Sequence, residues 1–123
     1  MMKRVCVYCG SSAGARPAYA ETAHNLGSVL ARHNLELVCG GAAIGLMGVL
    51  ADAALEAGGR VIGVISESFS SRVSHPELAE LHVVSSMHER EKLMFDLSDA
   101  FIALPGGMGT FEELAEMLTW AQI

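Results

Sequence analysis

AFIALPGGMGTFEE, residues 100 to 113, changes character twice within one short stretch. Ala100–Leu104 is apolar and has the length of a buried strand. Pro105 and the cluster Gly106-Gly107-Met108-Gly109 end that run, and a helix then opens near Thr110. Strand, glycine turn, helix is half of a βαβ unit. The same grammar recurs upstream. Val5–Cys9 leads through Gly10-Ser11-Ser12-Ala13-Gly14 to a helix from Pro17 to about His33, and Pro17 suits a first helical position. Glu36–Cys39 leads through Gly40-Gly41 to a helix over Gly45–Ala57, which Gly58-Gly59 stops. Val61–Ile65 is an unbroken apolar strand, and the polar stretch Ser66–Glu80 fits neither template. Leu81–Val84 is a strand, and Ser85-Ser86 caps a helix over Met87–Leu97. Near-continuous apolar strands alternating with helices predict a parallel sheet covered on both faces. The expected architecture is a Rossmann-like, doubly wound, three-layer α/β/α fold, with residues 1–123 as one domain.

Composition agrees. The chain is 51% hydrophobic and 18% charged, which suits a folded protein with one core. Its formal net charge of -6 and its dispersed basic residues argue against nucleic acid or an anionic membrane as partner. The apolar stretch from Val5 is broken at Gly10-Ser11-Ser12, unlike a signal peptide, and no run is long enough to span a bilayer. A cytoplasmic location is expected. Cys6 and Cys9 have the spacing of a redox or zinc motif, but residues three apart on a strand point to opposite faces. They and Cys39 are read as core residues, and no metal site is expected.

In an open α/β sheet the ligand lies beyond the carboxyl ends of the strands. Gly10-Ser11, Gly40-Gly41 and the cluster Gly106 to Gly109 all fall there. Glycine admits close backbone approach, and the helix N-termini that follow offer free N–H groups to a phosphate. Tight βα turns also use glycine for purely local reasons. No P-loop is present, and Gly41-x-x-x-Gly45-x-x-Gly48 is not the dinucleotide fingerprint. A mononucleotide or sugar phosphate fits better than NAD.

Two charged residues complete the candidate site. Thr110-x-x-Glu113 has the capping-box pattern, so Glu113 could serve as a cap, as a chemical group beside the phosphate turn, or as both. Arg90 lies in a first helical turn, where a cation opposes the helix dipole. By spacing it shares the face of Met87, Met94 and Leu97. Such a cation implies an anionic partner: Glu112, Glu113 or a ligand phosphate.

With these residues in place, Pro105-Gly106-Gly107-Met108-Gly109-Thr110-Phe111-Glu112-Glu113, Met87-His88-Glu89-Arg90, Gly45-Leu46-Met47-Gly48 and Val7-Tyr8-Cys9-Gly10-Ser11-Ser12 together resemble the Lonely Guy family. Its members are cytokinin riboside 5'-monophosphate phosphoribohydrolases, often mislabelled lysine decarboxylases. The resemblance runs from Val5 to the last residue, and the signature P-G-G-x-G-T-x-x-E is met in full. It implies a Rossmann-like homodimer without metal or organic cofactor. The implied reaction is hydrolysis of the N-glycosidic bond of AMP or an N6-substituted AMP, giving free base and ribose 5-phosphate. It implies catalytic roles for Arg90 and Glu113 and phosphate binding by Gly106, Gly107, Gly109 and Thr110. Gly10, Ser11, Gly41 and Gly45 are further candidate substrate contacts, together with Met87, Glu91, Met108 and Glu112. Relatives of this fold also include non-catalytic nucleotide or molybdenum-cofactor carriers, which form the alternative.

Three departures stand out. Glu91 occupies a usual lysine position and Arg72 a usual glutamate position, so the signs of one family ion pair are exchanged. Cys39-Gly40-Gly41-Ala42 replaces Y-G-G-G. Family members also continue well beyond Ile123. The expectation is a chain lacking the family's C-terminal part, which self-associates through its final helix (Met117, Leu118, Trp120, Ile123) and the Ala100–Leu104 edge.

Overall fold

The computed structural model describes residues 2–10, 17–68, 75–104 and 108–121, with residues 108–112 described through the backbone alone. Among the described residues are strands β1 (Arg4–Tyr8), β2 (Glu36–Cys39), β3 (Val61–Ser66), β4 (Glu80–Val84) and β5 (Ala100–Ala103), together with four helices. These are α1 (Pro17–Arg32), α2 (Gly45–Glu56), α3 (Met87–Leu97) and α4 (Met108–Ala121). The strands form one five-stranded sheet in the order β4-β3-β2-β1-β5, and every pairing is parallel. The chain therefore walks outward from β1 to β4, then crosses back to place β5 on the other side of β1. The order reverses between β1 and β5, and ligand crevices of doubly wound sheets open at such a point.

Alternation along the strands builds two cores. Val5, Val7, Leu37 and Val61 face Leu30 of α1 and Leu46, Leu50 and Ala54 of α2. Cys6, Tyr8, Val38, Ile62 and Val64 face Met94 of α3, with Leu93, Leu97 and Met117 packed against them. Every residue of β3 is buried, as its unbroken apolar run requires. On the first face α1 and α2 approach closely at Gly27, where a Cβ would sit 2.5 Å from the Leu50 carbonyl oxygen.

The sheet separates Cys6 from Cys9, which belong to opposite cores. Burial pushes the Cys9 thiol from its ordinary 9.0 up to about 12 and the Cys39 thiol up to about 11, and it raises Cys6 as well. All three stay protonated at neutral pH, which makes them poor nucleophiles and poor metal ligands.

Helix ends follow the local chemistry. At the end of α2, Gly59 N–H donates to the Ala54 carbonyl (2.8 Å) and Gly58 N–H to the Leu55 carbonyl (3.0 Å). With Gly58 at φ +83°, this is a Schellman motif. The end of α1 repeats it with Asn34 at φ 57° in the left-handed position. Most boundaries fall within one residue of expectation, and the last helix departs further. The helix expected from Thr110 begins at Met108, so Thr110 lies inside the first turn rather than at a cap. Glycine is costly in helix interiors, and Gly109 falls in the first turn, where it does not stop the helix.

Candidate active site

The site is organised by the start of α3. Ser86 is extended (φ -143°, ψ 160°), and its side chain accepts from Glu89 N–H at 3.1 Å. Glu89 reaches back to the Ser85 hydroxyl (2.7 Å) and Ser85 N–H (3.1 Å), and these bonds hold its carboxyl below the usual range. A helix start tied this firmly fixes the direction of the next residue, Arg90. Arg90 shares the inward face with Met94 and Leu97, as its spacing implied, but Met87 does not. Met87 is 43% exposed, and the buried residues of α3 are Arg90, Glu91 and Met94. The inward face thus opens with two charged groups instead of a methionine.

Arg90 spans the interior side of the sheet's carboxyl edge. Its Nε donates to the Val64 carbonyl of β3 at 2.8 Å. Its Nη1 donates to Glu113 Oε2 of α4, also at 2.8 Å. Its Nη2 lies against Gly40, in the turn after β2. Both charged residues are buried, so their mutual attraction is weakly screened and each needs the other. The pair gives the cation in the first turn of α3 the anionic partner that its position demanded. Glu113 is the partner among the two acids of the signature. An aromatic series keeps α3 against α4: Tyr8 stacks with Phe101 (6.1 Å), Phe101 with Phe95 (5.5 Å), and Phe95 meets Trp120 edge-on (5.7 Å).

The glycine turn after β2 is held from two sides. Gly41, at φ +79°, accepts from His75 N–H at 2.8 Å. The His75 ring accepts from Glu77 N–H at Nδ1 (3.1 Å), so its proton sits on Nε2 and is donated to Asp52 Oδ1 at 2.6 Å. On the other side Met47 Sδ accepts from Ala42 N–H at 3.3 Å.

The carboxyl edge thus gathers much of the expected site. Gly10 follows β1, Gly41 follows β2, Gly45 opens α2, and Arg90 and Glu113 meet. Met108, Gly109, Thr110 and Glu112 belong to the opening of α4, after β5. Glu91 is buried on α3, while Met87 marks the exposed start of that helix. Ser11, Gly106, Gly107 and Arg72 lie outside the described residues, and with Arg72 goes the expected exchange of signs with Glu91. Gly40, Met47, His75 and the Val64 carbonyl are additions. The Gly40-Gly41 pair pointed to a ligand rather than to Arg90, and Met47 was quoted within the Gly45–Gly48 motif without a role of its own. Among the described residues, no group of His, Cys, Asp and Glu could hold a metal ion.

Fold and site together define a Rossmann-like α/β protein with an arginine–glutamate centre near the switch point of its sheet. Residues 47–123 match the family described as "Possible lysine decarboxylase", and the chain belongs to that family. This is the family that the Pro105–Glu113 signature indicated. The chain is 53% identical over 123 residues to a cytokinin riboside 5'-monophosphate phosphoribohydrolase of Rhodococcoides fascians, covering 98% of this chain and 62% of that protein. It is 48% identical to cytokinin riboside 5'-monophosphate phosphoribohydrolase LOG1 of Arabidopsis thaliana, covering 98% of this chain and 57% of that one. The chain thus spans about three fifths of the length of these curated relatives. Among solved structures, the molybdenum cofactor carrier protein of Chlamydomonas reinhardtii superposes with a TM-score of 0.85 at 26% identity, covering 98% of this chain and 73% of that one.

Proposed function

We propose that the protein to which this chain belongs hydrolyses the N-glycosidic bond of adenosine 5'-monophosphate or its N6-substituted derivatives, with residues 1–123 as its nucleotide-binding domain. The observation that carries this reading is the buried Arg90–Glu113 pair, bonded at 2.8 Å beside the glycine turns of the carboxyl edge. Cleaving a ribosyl C–N bond builds positive charge on the sugar. The Glu113 carboxylate stabilises that charge and orients the attacking water. Water oxygen bonds to the anomeric carbon, and the C–N electron pair leaves with the base, which takes up a proton. Arg90, protonated at every relevant pH, is no general acid. It aligns Glu113 and clamps the substrate. The backbone of Gly109 and Thr110 at the start of α4, with Gly106 and Gly107 of the signature, receives the 5'-phosphate. Gly10, Ser11, Gly41, Gly45, Met87, Glu91, Met108 and Glu112 complete the contacts. No cofactor takes part.

A carrier that merely holds a nucleotide or molybdenum cofactor shares the fold, as the Chlamydomonas protein does. That role leaves the buried pair without a task, and the more similar relatives carry the phosphoribohydrolase name. Incubation with AMP and with N6-isopentenyl-AMP, followed by chromatography, separates the two. The proposal expects free base to accumulate over many turnovers. Nucleotide recovered intact after stoichiometric binding would favour the carrier.

The functional unit is read as a cytoplasmic homodimer. Among the described residues no helix is long and apolar enough to cross a membrane. Leu118 of α4 and Met87 of α3 are 52% and 43% exposed, and among the described residues β5 pairs with β1 alone, which suits a face covered by a second copy. Light scattering across a dilution series should show a dimer that dissociates on dilution, whereas a monomer throughout the micromolar range would remove it.

A further inference from the structure

We infer that Gly40 is a positioning residue, whose missing side chain forms the seat of the Arg90 guanidinium. The reason for glycine here is space rather than backbone freedom. Among the described residues, glycines with positive φ are Gly41, Gly45 and Gly58, so Gly40 has a backbone that alanine would also adopt. A Cβ at Gly40, however, would collide with Arg90 Nη2 and come within 2.7 Å of both Sδ and Cε of Met47. Neither neighbour yields without consequence. Met47 Sδ accepts from Ala42 N–H, which ties that wall to the turn itself. Arg90 is buried and already bonded to Val64 and Glu113, so moving its Nη2 drags those bonds with it. A side chain at position 40 therefore acts on Glu113 through Arg90, without touching the carboxylate. Gly41 does different work in the same turn: its positive φ and its bond to His75 shape the backbone. The pair reads as one glycine for the chain's path and one for the arginine's place.

The catalytic arm of this inference rests on the proposed function, and a stability arm does not. Gly40→Ala should lower kcat for base release about a hundredfold, the typical consequence of a misplacement near 1 Å. KM for AMP should change less than threefold, because the proposed phosphate contacts at Gly109 and Thr110 of α4 are untouched. Arg90→Lys removes Nη2 and opens the seat. In that background Gly40→Ala should cost much less, in kcat and in melting temperature, with only the contact to Met47 remaining, so the double-mutant cycle is strongly non-additive. The melting temperatures decide the matter even if the wild-type chain releases no base. Equal losses in both backgrounds would mean that Gly40 serves the backbone and would overturn the inference. So would a Gly40→Ala protein that behaves as wild type. Should Gly40→Ala alone fail to fold, a folded Arg90→Lys/Gly40→Ala protein supports the seat, and a second failure to fold refutes it.

Discussion

Arg90→Leu is expected to melt far below the wild-type chain, and Arg90→Leu/Glu113→Leu is expected to recover most of the loss. The two side chains are 9% and 6% exposed, so the pair is formed out of water. Removing one partner of a buried pair leaves the other charge in a weakly polarisable interior, which costs about 3–5 kcal/mol. That is a large share of the roughly 5–15 kcal/mol that holds a domain together. The single variant also strips the Val64 carbonyl of its donor at the fully buried strand β3. Replacing both charges with apolar groups removes the buried charge itself, and such exchanges are often neutral or stabilising. Neither variant should release base. Denaturant titrations of the wild type, Arg90→Leu, Glu113→Leu and the double variant measure the coupling directly. Equal instability of the single and double variants would mean that Arg90 stabilises by packing rather than by pairing.

Glu113→Gln should separate chemistry from structure. Glutamine preserves the size of the side chain and an oxygen that can accept from Arg90 Nη1, so the fold should survive with much less loss than in Arg90→Leu. What disappears is the negative charge next to the developing sugar cation and the base that orients water. Base release should fall by about 10²–10⁴-fold, the range assigned to a positioned acid–base group. Nucleotide affinity should stay within a few-fold, because an interaction made only in the transition state leaves ground-state binding alone. Turnover is read by chromatography and affinity by calorimetry. Near-normal turnover would leave Glu113 as the structural partner of Arg90 and nothing more.

The architecture was legible because its signals are local. Val61–Ile65 is apolar without interruption, since both faces of β3 are covered, and the observed strand extends it by one residue to Ser66. Ser86 and Gly58 punctuate their helices through bonds spanning a few residues, so α3 runs over the range its caps implied. The cysteines were read correctly for a similar reason: strand alternation alone sends Cys6 and Cys9 to opposite sides. The site was harder to read. Hydrophobic spacing correctly put Arg90 on the inward face of α3 with Met94, where its pair with Glu113 buries it, but it also put Met87 there, which is exposed, and it did not single out Glu91, which is buried. The capping-box pattern at Thr110 is genuine as a pattern, yet α4 starts at Met108 and shifts it into the helix. Gly40 was visible as a glycine but not as a seat, since the side chain that needs its space comes from a helix much later in the chain. Spacing reports neighbours along the sequence, and the carboxyl edge assembles neighbours in space.

The central claim is that the sugar of a bound nucleotide lies against Glu113 while its phosphate rests at the start of α4. A crystal structure of the Glu113→Gln protein with AMP tests this without turnover consuming the ligand. The account predicts the anomeric carbon beside the side chain at position 113, leaving a water room to attack at roughly 3–3.5 Å. It also predicts the phosphate at the start of α4, beside Gly109 and Thr110, and the Arg90 guanidinium still bonded to Val64. A nucleotide bound with its anomeric carbon facing solvent, or at the opposite edge of the sheet, would contradict it.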